Sequence, residues 1–403
     1  VWAVLLAGFA VLLLVLCFAE AASHFDEPGS GYVYTREAFG NFVGFEVGWM
    51  TWLARVASVA SLSNGFYQAL TFLRDRFEPV AALWPEPEWV ARTAIIAVPL
   101  AILTWINVVG VKHGARLAVG LTIAKVAPLV VLVAVGVFAI DWSRVFPVPA
   151  PDTSGFGEAT LLLLFAYAGF ENTAAAAGEF KNPRRDVPFA LMFMIISVTV
   201  LYTLVQLVAL GTLPNLAELG EGAPLADAAV LLMGTWAGVM MTLGAAISIE
   251  GNVGNTMLAG PRYLYALAVG GFGPSVLARV HPKYRTPAWA IITQAVLALG
   301  LALSGTFVQL ALLSIIARLA TYMGTAAAVP FLRRKFPRTE ATFVLPGGPT
   351  IPIAALLLCL VFLSSTSLRN LIFGAVALVI GVVIYTLRRR PAEPAIVPPV
   401  EDS

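Results

Sequence analysis

The sequence specifies an all-α integral membrane protein, and three observations predict it. Apolar residues make up 59% of the chain and charged residues 12%, against roughly 25% charged in soluble domains. Eleven segments supply the ~20 mostly apolar residues that a spanning helix needs. Loop cations are segregated as well. Loops 24–40, 112–116, 179–187, 259–286, 331–349 and the C-terminal tail carry most of the Lys and Arg, whereas the alternate loops hold only Arg74, Arg76, Arg92, Arg144 and Arg369. The positive-inside rule places the first set, and with it the C-terminus, in the cytoplasm. The predicted setting is the plasma membrane, with the lipid bilayer as the surrounding partner.

The spans fall at 1–20, 41–70, 92–111, 117–140, 158–178, 188–212, 229–258, 287–304, 306–330, 350–367 and 368–387. The first, VWAVLLAGFAVLLLVLCF, lacks the basic start and small-residue cleavage site of a signal peptide. At the second, Gly40, Gly44 and Gly48 form a small-residue ladder, and Gly234 and Gly238 form a pair in the seventh. Such spacing lets helix backbones approach closely, which fits a transporter and a membrane enzyme equally. Cys17 and Cys359 lie in apolar spans, as small core residues without a disulfide or metal role. Residues 1–390 are expected to form one transmembrane domain. Residues 391–403, within RRRPAEPAIVPPVEDS, are expected to be a disordered cytoplasmic tail.

The fifth span is the most telling. In 158–188 the run LLLLFAYAGF stops at Gly169, Glu171 and Asn172 follow at once, and Lys181, Arg184 and Arg185 close the segment. Lipid leaves no partner for loose backbone groups, so a break is tolerated only against protein or a wet cavity. Broken helices near mid-membrane are where secondary transporters hold their substrates. The half-helix ending near Phe165–Ala168 would present unsatisfied carbonyls to an ammonium group. Gly169 leaves room for a close ligand, and Phe165, Tyr167 and Phe170 are aromatics that could cover it. The plainer reading is an ordinary glycine kink, against which the adjacent Glu171-Asn172 pair speaks.

Charges inside the spans are the other signal. Lys125 lies about 12 Å into its span, Arg55 about 21 Å and Arg318 about 18 Å. Charges this deep call for pairing or a wet cavity. Glu171 and Glu250 are the expected counter-charges, so Arg55 and Arg318 read either as staples between helices or as parts of a polar network. Lysine, unlike arginine, can give up its proton, which makes Lys125 a candidate proton switch; the alternative is a lysine held by a carbonyl. Glu250 and Asn252, with Ser248 and Asn255, form a second polar stretch on an otherwise apolar span, read either as functional or as interhelical hydrogen-bond glue.

Three stretches carry a family resemblance. FAEAASHFDEPGSGYVYTREAFGNFVGFEVGW, FAYAGFENTAAAAGEFKNPRRDVPFAL and GNVGNTMLAGPRYLYALA resemble the second-to-third, sixth and eighth helix regions of the amino acid–polyamine–organocation (APC) permeases, with bacterial amino acid permeases as the subgroup. The resemblance covers nearly the whole chain except the tail. It implies a LeuT-type fold of two inverted five-helix repeats plus two further helices, with alternating access around the sixth-helix break. It implies that the carbonyls of Phe165 and Ala168, with Ala166, Gly169 and Phe170 around them, bind the substrate amino group. Phe165 would occlude the ligand, and Glu171 matches the acidic residue after the family's GF pair. Lys125, in ARLAVGLTIAKVAPL, matches the fifth-helix lysine of proton-coupled members. Eleven of the family's usual twelve helices are recognised; the glycine-rich first helix is not. The chain is therefore expected to be N-terminally truncated and, as it stands, not to transport normally.

The implied function is secondary active transport of an amino acid or related amine, by proton symport or, alternatively, by exchange. No cofactor or metal is expected, the coupling ion being a proton, and the protein is expected to be a monomer or homodimer with no nucleic-acid partner. An enzyme is disfavoured because His24, His113 and His281 fall in loops and join no nucleophile or metal motif. A channel would need a filter or charged ring, and a nutrient sensor would normally add a soluble signalling domain; neither is visible in the sequence.

Overall fold

A computed structural model describes residues 1–25, 31–110, 114–148, 153–172, 183–213, 223–336, 343–345 and 347–387. Lys181, the rest of 173–182 and the tail at 391–403 lie outside them, as does the side chain of Arg184. Every long element among the described residues is a helix. These are α1 (Trp2–Ser23), α2 (Gly31–Phe39), α3 (Asn41–Arg76), α4 (Glu78–Ala82), α5 (Glu88–Val109), α6 (Gly114–Ala139), α7 (Thr153–Tyr167), α8 (Pro183–Thr212), α9 (Pro224–Met233), α10 (Thr235–Val269), α11 (Ala288–Ser304), α12 (Phe307–Lys335), α13 (Thr350–Ser364) and α14 (Leu368–Thr386).

Six of the described helices are long and apolar enough to cross a bilayer: α1, α5, α6 from Thr122, α8 from Arg185, α12 and α14. At 36 and 35 residues, α3 and α10 are longer still, about 50 Å each at 1.5 Å per residue, so they outrun a bilayer core of about 30 Å. Both carry polar residues that lower their mean hydropathy, and some of these, Arg55 and Ser58 of α3 among them, build the site.

Two long helices organise the bundle. α3 packs against α10 and α12 and also meets α2, α11 and α14, while α1 lies against α7, α8, α12 and α13. The largest apolar core joins α1, α7, α8, α12 and α13 around Phe18, Phe170 and Tyr322. A second joins α3, α5, α10 and α11 around Trp52, Met257 and Ile291.

The glycine-spaced segments divide their labour. Gly44 and Gly48 do sit at close approaches, where an added Cβ would lie 2.6 Å from Arg36 and 2.9 Å from Tyr32 of α2. Gly40 packs on nothing; its φ of +91° makes the corner between α2 and α3. Gly234 likewise, at φ +87°, divides the predicted span 229–258 into α9 and α10, because that backbone conformation cannot continue a right-handed helix. Only Gly238 of that pair makes a tight contact, against Val230 and Phe72.

Candidate functional site

The break falls where the apolar run ends. α7 stops at Tyr167, residues 168–170 form a turn, and helical backbone resumes at Glu171. Gly169 has φ +117°, a conformation open in practice only to glycine. A Cβ added there would meet nothing within 4 Å, so glycine answers to the backbone and not to a crowding neighbour. The loose groups of the turn find local partners. The Ala168 amide donates to the Phe165 carbonyl at 3.2 Å, and the Asn172 amide donates to the Gly169 carbonyl at 3.1 Å. The Gly169 amide donates to Glu171 Oε2 at 3.0 Å.

Glu171 is therefore tied to the turn that exposes it, and its other oxygen forms an ion pair with Arg318 of α12. Both side chains are buried, at 3% and 7% exposure. Arg318 also donates through Nη2 to Ser58 Oγ at 3.1 Å, and the Tyr322 hydroxyl approaches Glu171 Oε2 at 3.5 Å. Ser58 and Ser314 lie 3.2 Å apart, and Ser314 donates to the Ala54 carbonyl at 2.7 Å. A polar seam thus runs between α3 and α12, directly behind the break.

Arg55 approaches the same turn from α3. Its Nη2 donates to Asn172 Oδ1 at 2.6 Å, and its guanidinium lies 5.0 Å above the ring of Tyr263 on α10. The side chain is 2% exposed. Of the two expected staples, Arg318 meets Glu171, whereas Arg55 makes no ion pair among the described residues. Glu250 cannot serve it: α10 is continuous from Glu250 to Tyr263, which separates them by about 20 Å. Glu250 is half-buried, and Asn252, on the same helix, is exposed.

The aromatics separate. Phe170, 2% exposed, stacks on Tyr322 at 5.3 Å and meets Phe18 edge-on at 5.4 Å, so it is engaged in the main core. Tyr167 is also buried, its hydroxyl 3.4 Å from the Val4 carbonyl. Half-buried Phe165 points elsewhere, edge-on to Phe307 with centroids 6.2 Å apart. Ala166 is exposed, and its carbonyl accepts from the Tyr202 hydroxyl at 3.2 Å.

Phe307 leads to Lys125. A cavity of about 580 Å³ between α3, α6, α9, α10 and the start of α12 is lined by Lys125, Pro128, Met241, Ser248, Ile249 and Phe307, among others. Lys125 is exposed and makes no ion pair among the described residues. Pro128 has no amide hydrogen, so it leaves the Ala124 carbonyl without its usual helical donor. This happens where α6 meets Gly244 of α10, at which an added Cβ would lie 2.8 Å from Pro128. The edge contact between Phe165 and Phe307 joins this cavity to the break, and among the described residues Lys125 makes no contact with Glu171.

The sequence points to Arg55, Arg318 and Glu171 but not to Tyr263, Tyr322, Ser58 or Ser314. The two serines were visible as polar residues inside apolar spans; nothing local distinguished the two tyrosines from core aromatics.

Comparison with known proteins finds relatives along nearly the whole chain. The family model described as Amino acid permease matches residues 1–387. The branched-chain amino acid permease BcaP of Bacillus subtilis (strain 168) is 30% identical, over 95% of this chain and 84% of its own length. The methylthioribose transporter of the same organism is 28% identical, over 96% and 85%. Its serine/threonine exchanger SteT is 29% identical, over 96% and 88%.

Proposed function

This chain belongs to the amino acid permease family of the APC superfamily, and on that premise we propose that it moves an amino acid or related amine across the plasma membrane by alternating access around the break at Gly169. The observation that carries the reading is the break itself, with a buried charge network behind it and a cavity whose lining residue Phe307 meets Phe165 edge-on. The arrangement is two inverted five-helix repeats with further flanking helices, with the C-terminus cytoplasmic. The carbonyls of Phe165 and Ala168 receive the substrate ammonium group, in keeping with the partial negative charge at a helix C-terminus. Phe165 closes over the ligand from its seat against Phe307.

Coupling is by proton, through Lys125. An exposed lysine on a largely apolar cavity wall can exchange its proton with water that enters, and its charge then biases which face of the cavity opens. The test is uptake into proteoliposomes with and without an inward proton gradient. The expected result is uptake driven by the gradient into empty vesicles, and a Lys125→Ala variant that still binds substrate but whose uptake no longer follows pH. The second reading is exchange, favoured by the similarity to a serine/threonine exchanger. It would be established instead if flux required substrate inside the vesicles and ignored the gradient.

A further inference from the structure

We propose that Arg55 and Arg318 form a carboxylate subsite beside the break, and that the solute carried here is an acidic amino acid with a net charge of −1. The inference rests on the transport reading above and goes further by naming the substrate class. It starts from charge balance. Two guanidinium groups, on Arg55 and Arg318, contact the four residues 169–172 or their side chains, and one carboxylate, Glu171, answers them. Glu171 is consumed by Arg318, the Gly169 amide and the Tyr322 hydroxyl. Among the described residues the hydrogen-bond and ring partners of Arg55 are neutral, the Asn172 amide oxygen and the face of Tyr263, and Glu171 is the one carboxylate whose charge reaches both guanidinium groups.

A buried cation inside a membrane bundle calls for an anion or a wet cavity, and cation–π contact supplies only part of what water would. Among the described residues no carboxylate pairs with Arg55, and Glu250 stands too far along α10. Both guanidinium groups also keep a donor in reserve: Nε of Arg55 and Nε of Arg318 are buried with no hydrogen-bond partner among the described residues. An unmet buried N–H is costly, and a carboxylate oxygen is the acceptor that suits a guanidinium donor.

The ligand's overall charge follows. A zwitterion placed with its ammonium at the end of α7 adds no net charge and leaves the excess cation standing. An amino acid with a second carboxylate brings the cluster of Arg55, Arg318, Glu171 and ligand to neutrality.

Thermal unfolding of the purified full chain with glutamate or aspartate, against glutamine or asparagine, tests this without any variant. The expected result is stabilisation by the acids and not by the amides, an apparent affinity for the acids lowered about tenfold or more in Arg55→Gln, and partial retention in Arg55→Lys. Sodium acetate and sodium chloride at matched concentration separate the amino acid from a free anion. Stabilisation by acetate or chloride equal to that by glutamate would overturn the proposal, as would Arg55→Gln binding glutamate like the parent chain. Stabilisation by neutral amino acids with the acids inert would overturn it while leaving the transport reading intact. Stabilisation by no amino acid or amine would overturn both.

Discussion

Glu171 and Arg318 illustrate how a buried ion pair acts at the scale of single residues. Taking both charges out of water costs several kcal/mol each, and their attraction returns little beyond that; removing one partner strands the other. Glu171→Gln should therefore lower stability by about 3–5 kcal/mol, read as a fall in melting temperature, whereas Glu171→Met with Arg318→Met should recover most of the loss. An additive double variant would show that the two charges are not energetically coupled. Gly169 makes a different point. Its neighbourhood is open but its φ of +117° is closed to side chains, so Gly169→Ala should cost on the order of 1–3 kcal/mol. The loss should appear in substrate binding as well as stability, because the turn carries the amide that holds Glu171. A variant indistinguishable from the parent in both would mean that the turn relaxes freely.

At the scale of elements, one end of the bundle is clasped by polar contacts that no local pattern announces. Glu20, fully buried near the end of α1, accepts from Arg333 Nη2 of α12 at 2.7 Å and from the Leu345 amide at 2.9 Å. Arg333 in turn donates to the Gly348 carbonyl at 2.6 Å. Glu20→Ala should leave the Leu345 amide and Arg333 without their acceptor, and hydrogen exchange at 343–350 should quicken before the rest of α12 is affected. Unchanged exchange there would place the clasp's stability elsewhere. Beside it, Lys335 bonds Glu37 at 2.9 Å and holds that carboxyl below the usual carboxylate range. A depressed carboxylate contributes stability above its unfolded value and loses it as pH falls through the folded one. The pair is solvated, so Glu37→Gln should change stability by under about 1 kcal/mol, and the difference should vanish on acidification below the ordinary carboxylate range.

The helices of the whole molecule were largely legible in the chain, because an apolar run of spanning length is a local property that lipid enforces. Boundaries moved where glycine sits outside right-handed space: Gly234 parts α9 from α10, and Gly40 makes a corner instead of a packing contact. The break was legible for the same reason, since glycine followed by Glu171-Asn172 interrupts a run that nothing else interrupts. Partnerships were not legible. Arg318 and Glu171 are 147 residues apart and Arg55 and Asn172 are 117 apart, and a fraction of a turn of rotation in α3 or α12 would pair them differently. The cavity beside Lys125 is likewise a property of five helices and belongs to none of them. At this scale the decisive measurement is the pH dependence of uptake with Lys125→Ala, which should flatten if the cavity is where the proton is exchanged.

The amino-acid sequence by itself determined that this is a helical membrane protein, where a helix must break, and which charges lie too deep for water. Each follows from composition over about 20 residues or from the φ range of one glycine. Only the tertiary structure decided that Glu171 answers Arg318, that Arg55 rests on Tyr263 and Asn172 instead of Glu250, and that Phe170 belongs to the core while Phe165 faces Phe307. Those outcomes depend on how long helices are turned about their axes, and many weak packing contacts between distant segments set that turn.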